Sequence, residues 1–218
     1  MLLTRMDDFF ASVVDIYDDH MLEEVPGCKS GYIKMAECLP PDTGRLLDLG
    51  CGTGLELDAI LARFPELMVT GIDLTHAMLD RLREKHPEKR LTLICGDYLA
   101  ADFGRKAFDA AVSFQSLHHF THQQKRDLYR RLWESLCSGG VYIECDYMVA
   151  EQAEEDYYFA EAARLRKEQG IPEGVYCHYD TPCTVKNQKK LLFEAGFCTV
   201  EQVFREENTT MLIARKLE

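Results

Sequence analysis

No stretch of this 218-residue chain approaches the roughly 18 consecutive apolar residues of a membrane-spanning helix. Its opening, MLLTRMDDFF, lacks a basic region followed by an apolar run. Neither a membrane span nor a secretory leader is therefore expected, and the expected location is the cytoplasm. Basic side chains are in the minority, 25 Lys and Arg against 37 Asp and Glu, for a net charge of −12. A broad phosphate-binding surface needs the opposite balance, so nucleic acid is not the expected partner. Nine cysteines are an odd and scattered set without a single CxxC pair. That argues for reduced thiols buried in apolar runs such as LTLICGD and GFCTVEQV, not a disulfide framework. His118 and His119 are adjacent instead of spaced along one helical face, so no metal site is expected. Internal repeats, low-complexity tracts and a GxxxxGK[ST] phosphate loop are also missing. There remains an acidic globular chain, 46% hydrophobic, long enough to bury one core.

Alternation is the main positive signal. Helical spacing runs over residues 7–22 up to Pro26-Gly27, and again over 29–39 before Pro40-Pro41. Short apolar runs at 45–49, 67–72, 91–95, 108–114 and 141–145 read as strands. Helical patterns at 55–64, 75–85 and 121–136 separate them, with Thr75 as an N-cap and Gly139-Gly140 as a helix stop. This is the signature of βαβ units and a parallel sheet covered on both faces. The tail adds a polar helix at 151–169, a Pro/Gly/aromatic loop, a helix at 185–195 and a terminal hairpin at 198–205 and 209–216. A hairpin cannot be parallel, so one strand should run antiparallel.

The densest local signal is LLDLGCGTGLE, residues 46–56, where Gly50, Gly52 and Gly54 join a strand to a helix. Glycines there allow positive φ and leave the backbone open to a ligand, and free N–H groups at the helix start attract an anion. A tight structural turn would use the same residues. Asp73 ends the second strand, 21 residues after Gly52, where a carboxylate can accept from both hydroxyls of a ribose. Asp97 follows the third strand and Asp48 precedes the glycines. Three carboxylates make a poor phosphate site and suit a ligand with a ribose and an ammonium.

LLDLGCGTG, GIDLT, GDY and FDAAVSFQSLHHF, taken in order, resemble the successive motifs of class I S-adenosylmethionine-dependent methyltransferases over residues 44–148. The resemblance implies an α/β, Rossmann-like, doubly wound sheet of seven strands, order 3-2-1-4-5-7-6 with strand 7 antiparallel, and S-adenosylmethionine as cofactor. It implies a glycine loop of Gly50, Cys51, Gly52 and Gly54 under the methionine and ribose, with Asp48 near the amino group. It further implies Asp73 on the ribose, Leu74 on the adenine face and Asp97 on the adenine amine. Tyr98 would meet a ring nitrogen through its backbone, and Gln115 lies where carbonyl groups meet the methionine amine. Leu74 and Tyr98 serve equally well as packing residues. The implied organisation is one domain: a helical lid at 1–40, a cofactor core at 44–148, an insertion at 149–183, and a terminal helix and hairpin at 184–218.

Methyl transfer from a sulfonium needs alignment more than covalent help, so no cysteine requires a role. A hydroxyl or amine acceptor gains from a base. His118 and His119, after strand four, are the candidates, the alternative being a strand-end cap. The segment DIYDDHMLEEVPGC forms either a lid, with Tyr17 reaching the donor's carboxylate, or a plain cover for the sheet edge. Asp146, Tyr147, Tyr176, His178 and Tyr179 either line an acceptor pocket or lie on the surface. The expected partner is a small-molecule acceptor, neutral or cationic, because Asp18, Asp19, Glu154, Glu155 and Asp156 repel a polyanion.

Residues 21–39 and the tail TPCTVKNQKKLLFEAGFCTVEQVF are also similar to the enzymes that make carboxy-S-adenosylmethionine for tRNA modification. Those enzymes use a basic side chain and a tyrosine for the added carboxylate. Here their Pro-Gly-Tyr reads Pro26-Gly27-Cys28, and no arginine lies between Lys167 and Lys186, so transfer of a plain methyl is the expectation. Direct action on RNA would need one of two basic clusters, Arg126, Arg130 and Arg131 or Lys186, Lys189 and Lys190, both of which also read as solvated helix faces. A cofactor-binding regulator without turnover, alone or as a homodimer, is the remaining class.

Overall fold

Strand β1 (Arg45–Leu49) shows how the sheet is covered on both sides. Successive side chains alternate across a strand: Leu46 packs into one core, Leu47 and Leu49 into the other. The computed structural model describes residues 1–217. Three helices precede the sheet, α1 (Met6–Val13), α2 (Tyr17–Glu23) and α3 (Cys28–Cys38). After β1 come α4 (Leu55–Arg63), β2 (Met68–Asp73), α5 (His76–Lys85), β3 (Arg90–Cys95), β4 (Phe108–Phe114), α6 (His122–Ser135) and β5 (Leu136–Val149). The chain ends with α7 (Gln152–Glu168), the two-residue β6 (Cys183–Thr184), α8 (Val185–Glu194), β7 (Thr199–Glu206) and β8 (Thr209–Arg215).

The seven long strands are ordered β3-β2-β1-β4-β5-β8-β7, with β6 beside β5. Strands β1 to β5 are parallel, and β8 runs antiparallel to both β5 and β7. With the short β6 set aside this is the expected 3-2-1-4-5-7-6 order. Helices α3 and α4 cover one face together with Val112, Ile143 and Ile213. Helices α6 and α8 cover the other with Ala111, Tyr142 and Leu212. Among the described residues, no helix is long and apolar enough to cross a membrane.

Two local expectations change, a third is met differently, and one short strand is added. The helix read at 7–22 is broken into α1 and α2 by a turn at 14–16, and Asp15 in that turn pairs with Arg81 of α5 at 2.7 Å. Gly139-Gly140 does not stop α6, which ends at Ser135; both glycines lie inside β5. There Phe108 pairs with Leu136 but Ala110 with Val141, so β5 carries an excursion that Gly139, at φ +73°, allows. Thr75 occupies the N-cap of α5, yet its hydroxyl makes no hydrogen bond; the Asp73 carboxylate accepts the Thr75 N–H instead, at 2.9 Å. Strand β6 had no signal, being only two residues long.

Candidate active site

The glycine loop turns sharply because its backbone demands it. Gly50 sits at φ +70°, and a Cβ there would lie 2.0 Å from the Ser116 hydroxyl oxygen. Gly54, at φ +77°, faces α5, where a Cβ would fall 2.3 Å from Leu82 Cδ1. Only glycine meets both conditions. Cys51 is buried beneath the loop against Gly71, and its thiol does not line the cleft above.

Asp73 is held by the loop it faces. Its two carboxylate oxygens accept the N–H groups of Gly52 at 3.0 Å and Thr75 at 2.9 Å. Burial raises its pKa, and these two bonds oppose the rise. Gly50, Gly52, Asp73, Leu74, Tyr98 and Gln115 line one narrow cleft. The Tyr98 hydroxyl is bonded to Ser116 Oγ at 2.8 Å, so its ring forms part of the cleft wall. Asp97 lies aside from this wall; it accepts the Leu99 N–H at 2.7 Å, and its charge acts on the Tyr176 phenol.

Asp48 is fully buried and does not line the cleft. Neither of its oxygens has a fixed donor, and neither does Glu56 Oε1. The two carboxyls lie together under the loop and can satisfy each other only when one carries a proton. Burial, opposed by the bond to Glu56, pushes Asp48 up to about 7, and Glu56 rises as well. Glu56 had gone unnoticed in the sequence, although it is the acid on the far side of the same glycines.

Helix α2 closes over the loop. The Thr53 hydroxyl donates to Asp18, and Lys85 approaches the same carboxylate at 3.5 Å. These contacts bring the Tyr17 ring to 3.8 Å from the position of a Cβ on Gly52. Burial, reinforced by Glu56 and Asp73, drives the Tyr17 phenol far above its ordinary pKa, so it stays a proton donor. Gln115 directly follows β4 at φ +47°, an uncommon conformation for a non-glycine residue. Its side-chain amide donates to Thr209 Oγ1 at 3.1 Å, and that hydroxyl donates to the Pro26 carbonyl at 2.7 Å. One side chain thus ties the end of β4 to the segment between α2 and α3 and to the terminal hairpin.

The histidines form the opposite corner. Buried His118 Nδ1 lies 2.5 Å from Asp146 Oδ1, and Asp146 also accepts the N–H groups of Leu117 and Tyr147, both at 2.9 Å. Burial lowers the His118 pKa, but the Asp146 and Asp180 charges outweigh it and the net shift is upward. His119, buried beside His118 and His178, is pushed well below its ordinary value. Its Nδ1 lies 3.2 Å from the Tyr179 carbonyl. Thr181 fixes the facing loop through its N–H and its hydroxyl, both donated to the His118 carbonyl. Asp180, which sequence reasoning passed over, lies between the two imidazoles; an acid two residues after His178 was the signal available.

Above this corner lies a cavity of about 550 Å³. Phe9, Phe10, Val13 and Ile16 give it an apolar wall, and His118, His119, His178, Asp180 and Glu207 a polar one. Phe10, Tyr17, Gln115 and His119 belong to both the cavity and the narrow cleft. Among the described residues, no lysine or arginine lines either space.

Residues 46–140 match the methyltransferase domain family. Over 99% of its length the chain is 30% identical to the carboxy-S-adenosyl-L-methionine synthase of Wolinella succinogenes, 96% of which is covered. The chain belongs to the class I S-adenosylmethionine-dependent methyltransferase family. The same fold occurs in an O-methyltransferase family protein from Burkholderia thailandensis, at a TM-score of 0.71 and 17% identity, covering 98% of this chain and 63% of that one. It occurs also in human N-acetylserotonin methyltransferase in complex with S-adenosylmethionine, at 0.65 and 15%, covering 96% and 55%. The enzyme type is thus that of an S-adenosylmethionine-dependent methyltransferase. The chemistry of the cleft suits that cofactor: it offers an open glycine backbone and an anchored carboxylate at Asp73, and, among the described residues, no lysine or arginine on its wall.

Proposed function

We propose that this methyltransferase moves the methyl group of S-adenosylmethionine to a small neutral or cationic acceptor in the 550 Å³ cavity. The observation that carries this reading is the shared wall: Phe10, Tyr17, Gln115 and His119 border cleft and cavity alike, and the cavity offers carboxylates but no cation. A polyanion entering it would meet Asp180 and Glu207 unscreened. When bound, the cofactor supplies a methyl group on a sulfonium that leaves as a neutral thioether.

The chain's own residues do the rest. Asp73 takes the ribose hydroxyls, and Leu74 and the Tyr98 backbone border the adenine. Gly50, Gly52 and Gly54 keep the loop low beneath the ligand, with Cys51 packed under it. The Tyr17 phenol donates to the ligand's carboxylate, and Gln115, with the buried acids Asp48 and Glu56 behind the loop, faces its ammonium. His118, oriented by Asp146, and His119, kept neutral by burial, hold the acceptor and steer its proton. Alignment by these fixed groups is the main source of rate.

A labelled-methyl screen over metabolite extract and total tRNA at two salt concentrations tests the proposal. Salt-insensitive label in small molecules supports it; label in tRNA that falls steeply with salt overturns it. A second reading, synthesis of a carboxylated cofactor, is favoured by the end-to-end likeness to the Wolinella succinogenes synthase. The mass of the ligand retained after gentle purification separates the two.

A further inference from the structure

The polar corner of the cavity has a second property. His118 Nε2 lies 3.6 Å from Asp180 Oδ1, and His119 Nδ1 lies 3.4 Å from the same oxygen. The three ligand atoms fall within 4.8 Å of one another. Bonds of about 2.0–2.1 Å from a tetrahedral zinc ion require ligand atoms about 3.3–3.4 Å apart, so the two spacings to Asp180 need little adjustment. We propose that His118, His119 and Asp180 form a site for one divalent first-row transition ion of the zinc or iron class, with its open positions turned to the cavity.

Three features support this beyond the distances. The ring of His118 is oriented from behind, Nδ1 toward Asp146 at 2.5 Å, which leaves Nε2 forward; a carboxylate behind a ligating histidine is the usual outer partner in such sites. The backbone beside Asp180 is held against His118, since Thr181 clamps to the His118 carbonyl through two donors. The donor set, two imidazoles and one carboxylate, suits zinc, iron or cobalt and is a poor match for magnesium or calcium. One adjustment is needed: His119 Nδ1 must present a lone pair, so its 3.2 Å approach to the Tyr179 carbonyl gives way. Adjacency of the histidines is no obstacle, because they lie in a turn after β4 and the third ligand comes from the loop ahead of β6.

The role of the ion rests on the acceptor reading above. An ion there would bind the acceptor's oxygen or nitrogen, and His118 Nε2 would then be a ligand and not a free base. The test uses the full chain, stripped with a chelator and titrated with Co²⁺ while visible d–d absorption is recorded. One equivalent per chain is expected, displaced by Zn²⁺, with affinity at least tenfold weaker in Asp180→Asn and in His119→Gln and unchanged in His122→Ala. Cofactor affinity, measured by calorimetry on the stripped protein, should persist in Asp180→Asn, which shows that this variant is folded. No Co²⁺ spectrum, or one indifferent to Asp180→Asn, overturns the ion site. If methyl transfer survives the chelator in that case, the acceptor reading stands without it. Failure of the stripped protein to bind S-adenosylmethionine defeats the functional reading whatever Co²⁺ does.

Discussion

The two halves of the carboxyl edge of the sheet are built by different means. The cofactor half, over β1 to β3, is made largely of backbone: glycines at forced φ, N–H groups turned to one carboxylate, and a loop contiguous in sequence. The other half, over β4 and β5, where we propose that the acceptor binds, is made of side chains from α1, α2, the turn after β4, the end of β5, the loop ahead of β6 and the terminal hairpin. Backbone geometry tolerates almost no change, whereas a wall drawn from distant segments can vary one side chain at a time. One family can therefore keep one cofactor and serve many acceptors.

The largest expected effect breaks the cofactor half. Gly50→Ala places a Cβ 2.0 Å from Ser116 Oγ at φ +70°. Backbone strain of about 1–3 kcal/mol and overpacking of similar size should weaken cofactor binding roughly 100-fold or more. Ser116→Ala in the same chain removes the nearest atom and should restore part of the loss. Full restoration would mean that φ is not constraining. Next comes Asp73→Ala, which deletes the acceptor of two loop N–H groups and the proposed ribose contact. A charge-assisted pair is worth about 1.5–3 kcal/mol, so the dissociation constant read by calorimetry should rise about 10- to 100-fold. An unchanged constant removes Asp73 from the site.

The difference between the halves also explains what could be read in advance. The parallel strands, the antiparallel β8 and the glycine loop follow from alternation and from residue types at fixed spacing, which are local properties, whereas the strand order came only with the family resemblance. The Gly50, Gly52 and Asp73 cluster was legible because the loop and the end of β2 must lie side by side in a parallel sheet. Asp180 and the Thr181 clamp were not, since nothing local says that this loop folds back 60 residues onto His118 and His119. The Asp48–Glu56 pair was hidden for a related reason: both acids flank the glycines, but only the pleat of β1 turns Asp48 under the loop and out of the cleft wall. Gly139-Gly140 misled because a glycine pair reads as a helix end, while here it serves an excursion inside β5.

A smaller effect separates the halves kinetically. Asp146→Asn removes the charge that orients His118 but touches nothing in the cofactor cleft. Turnover should fall about 10- to 100-fold, the range for outer partners of a working histidine. Cofactor affinity should change less than about twofold, since no contact to that cleft is lost. If His118 merely caps the strand end, the melting temperature drops and turnover of the folded fraction stays.

The smallest expected effect is a pH slope in stability. Asp48 has its folded pKa raised to about 7 from the usual carboxylate range, chiefly by burial, and Glu56 is raised with it. For an acid with a raised folded pKa, the folded state binds more protons than the unfolded one between the two values, so stability falls as pH rises. The contribution is complete below about pH 4, where both states are protonated, and is lost by about pH 7 to 8. Each kcal/mol lost lowers the melting temperature by about 2–4 °C at this length. The cofactor-free chain should therefore melt progressively lower from pH 5 to pH 8, and Asp48→Asn, which cannot ionise, should flatten that slope. A slope unchanged by Asp48→Asn would assign it to another buried acid, with Glu144 first, since burial and Asp146 push it up to about 8. Saturating S-adenosylmethionine sharpens the comparison: an ammonium near the loop favours the ionised pair, so bound cofactor should shrink the slope through Asp48 and leave any part due to Glu144 in place.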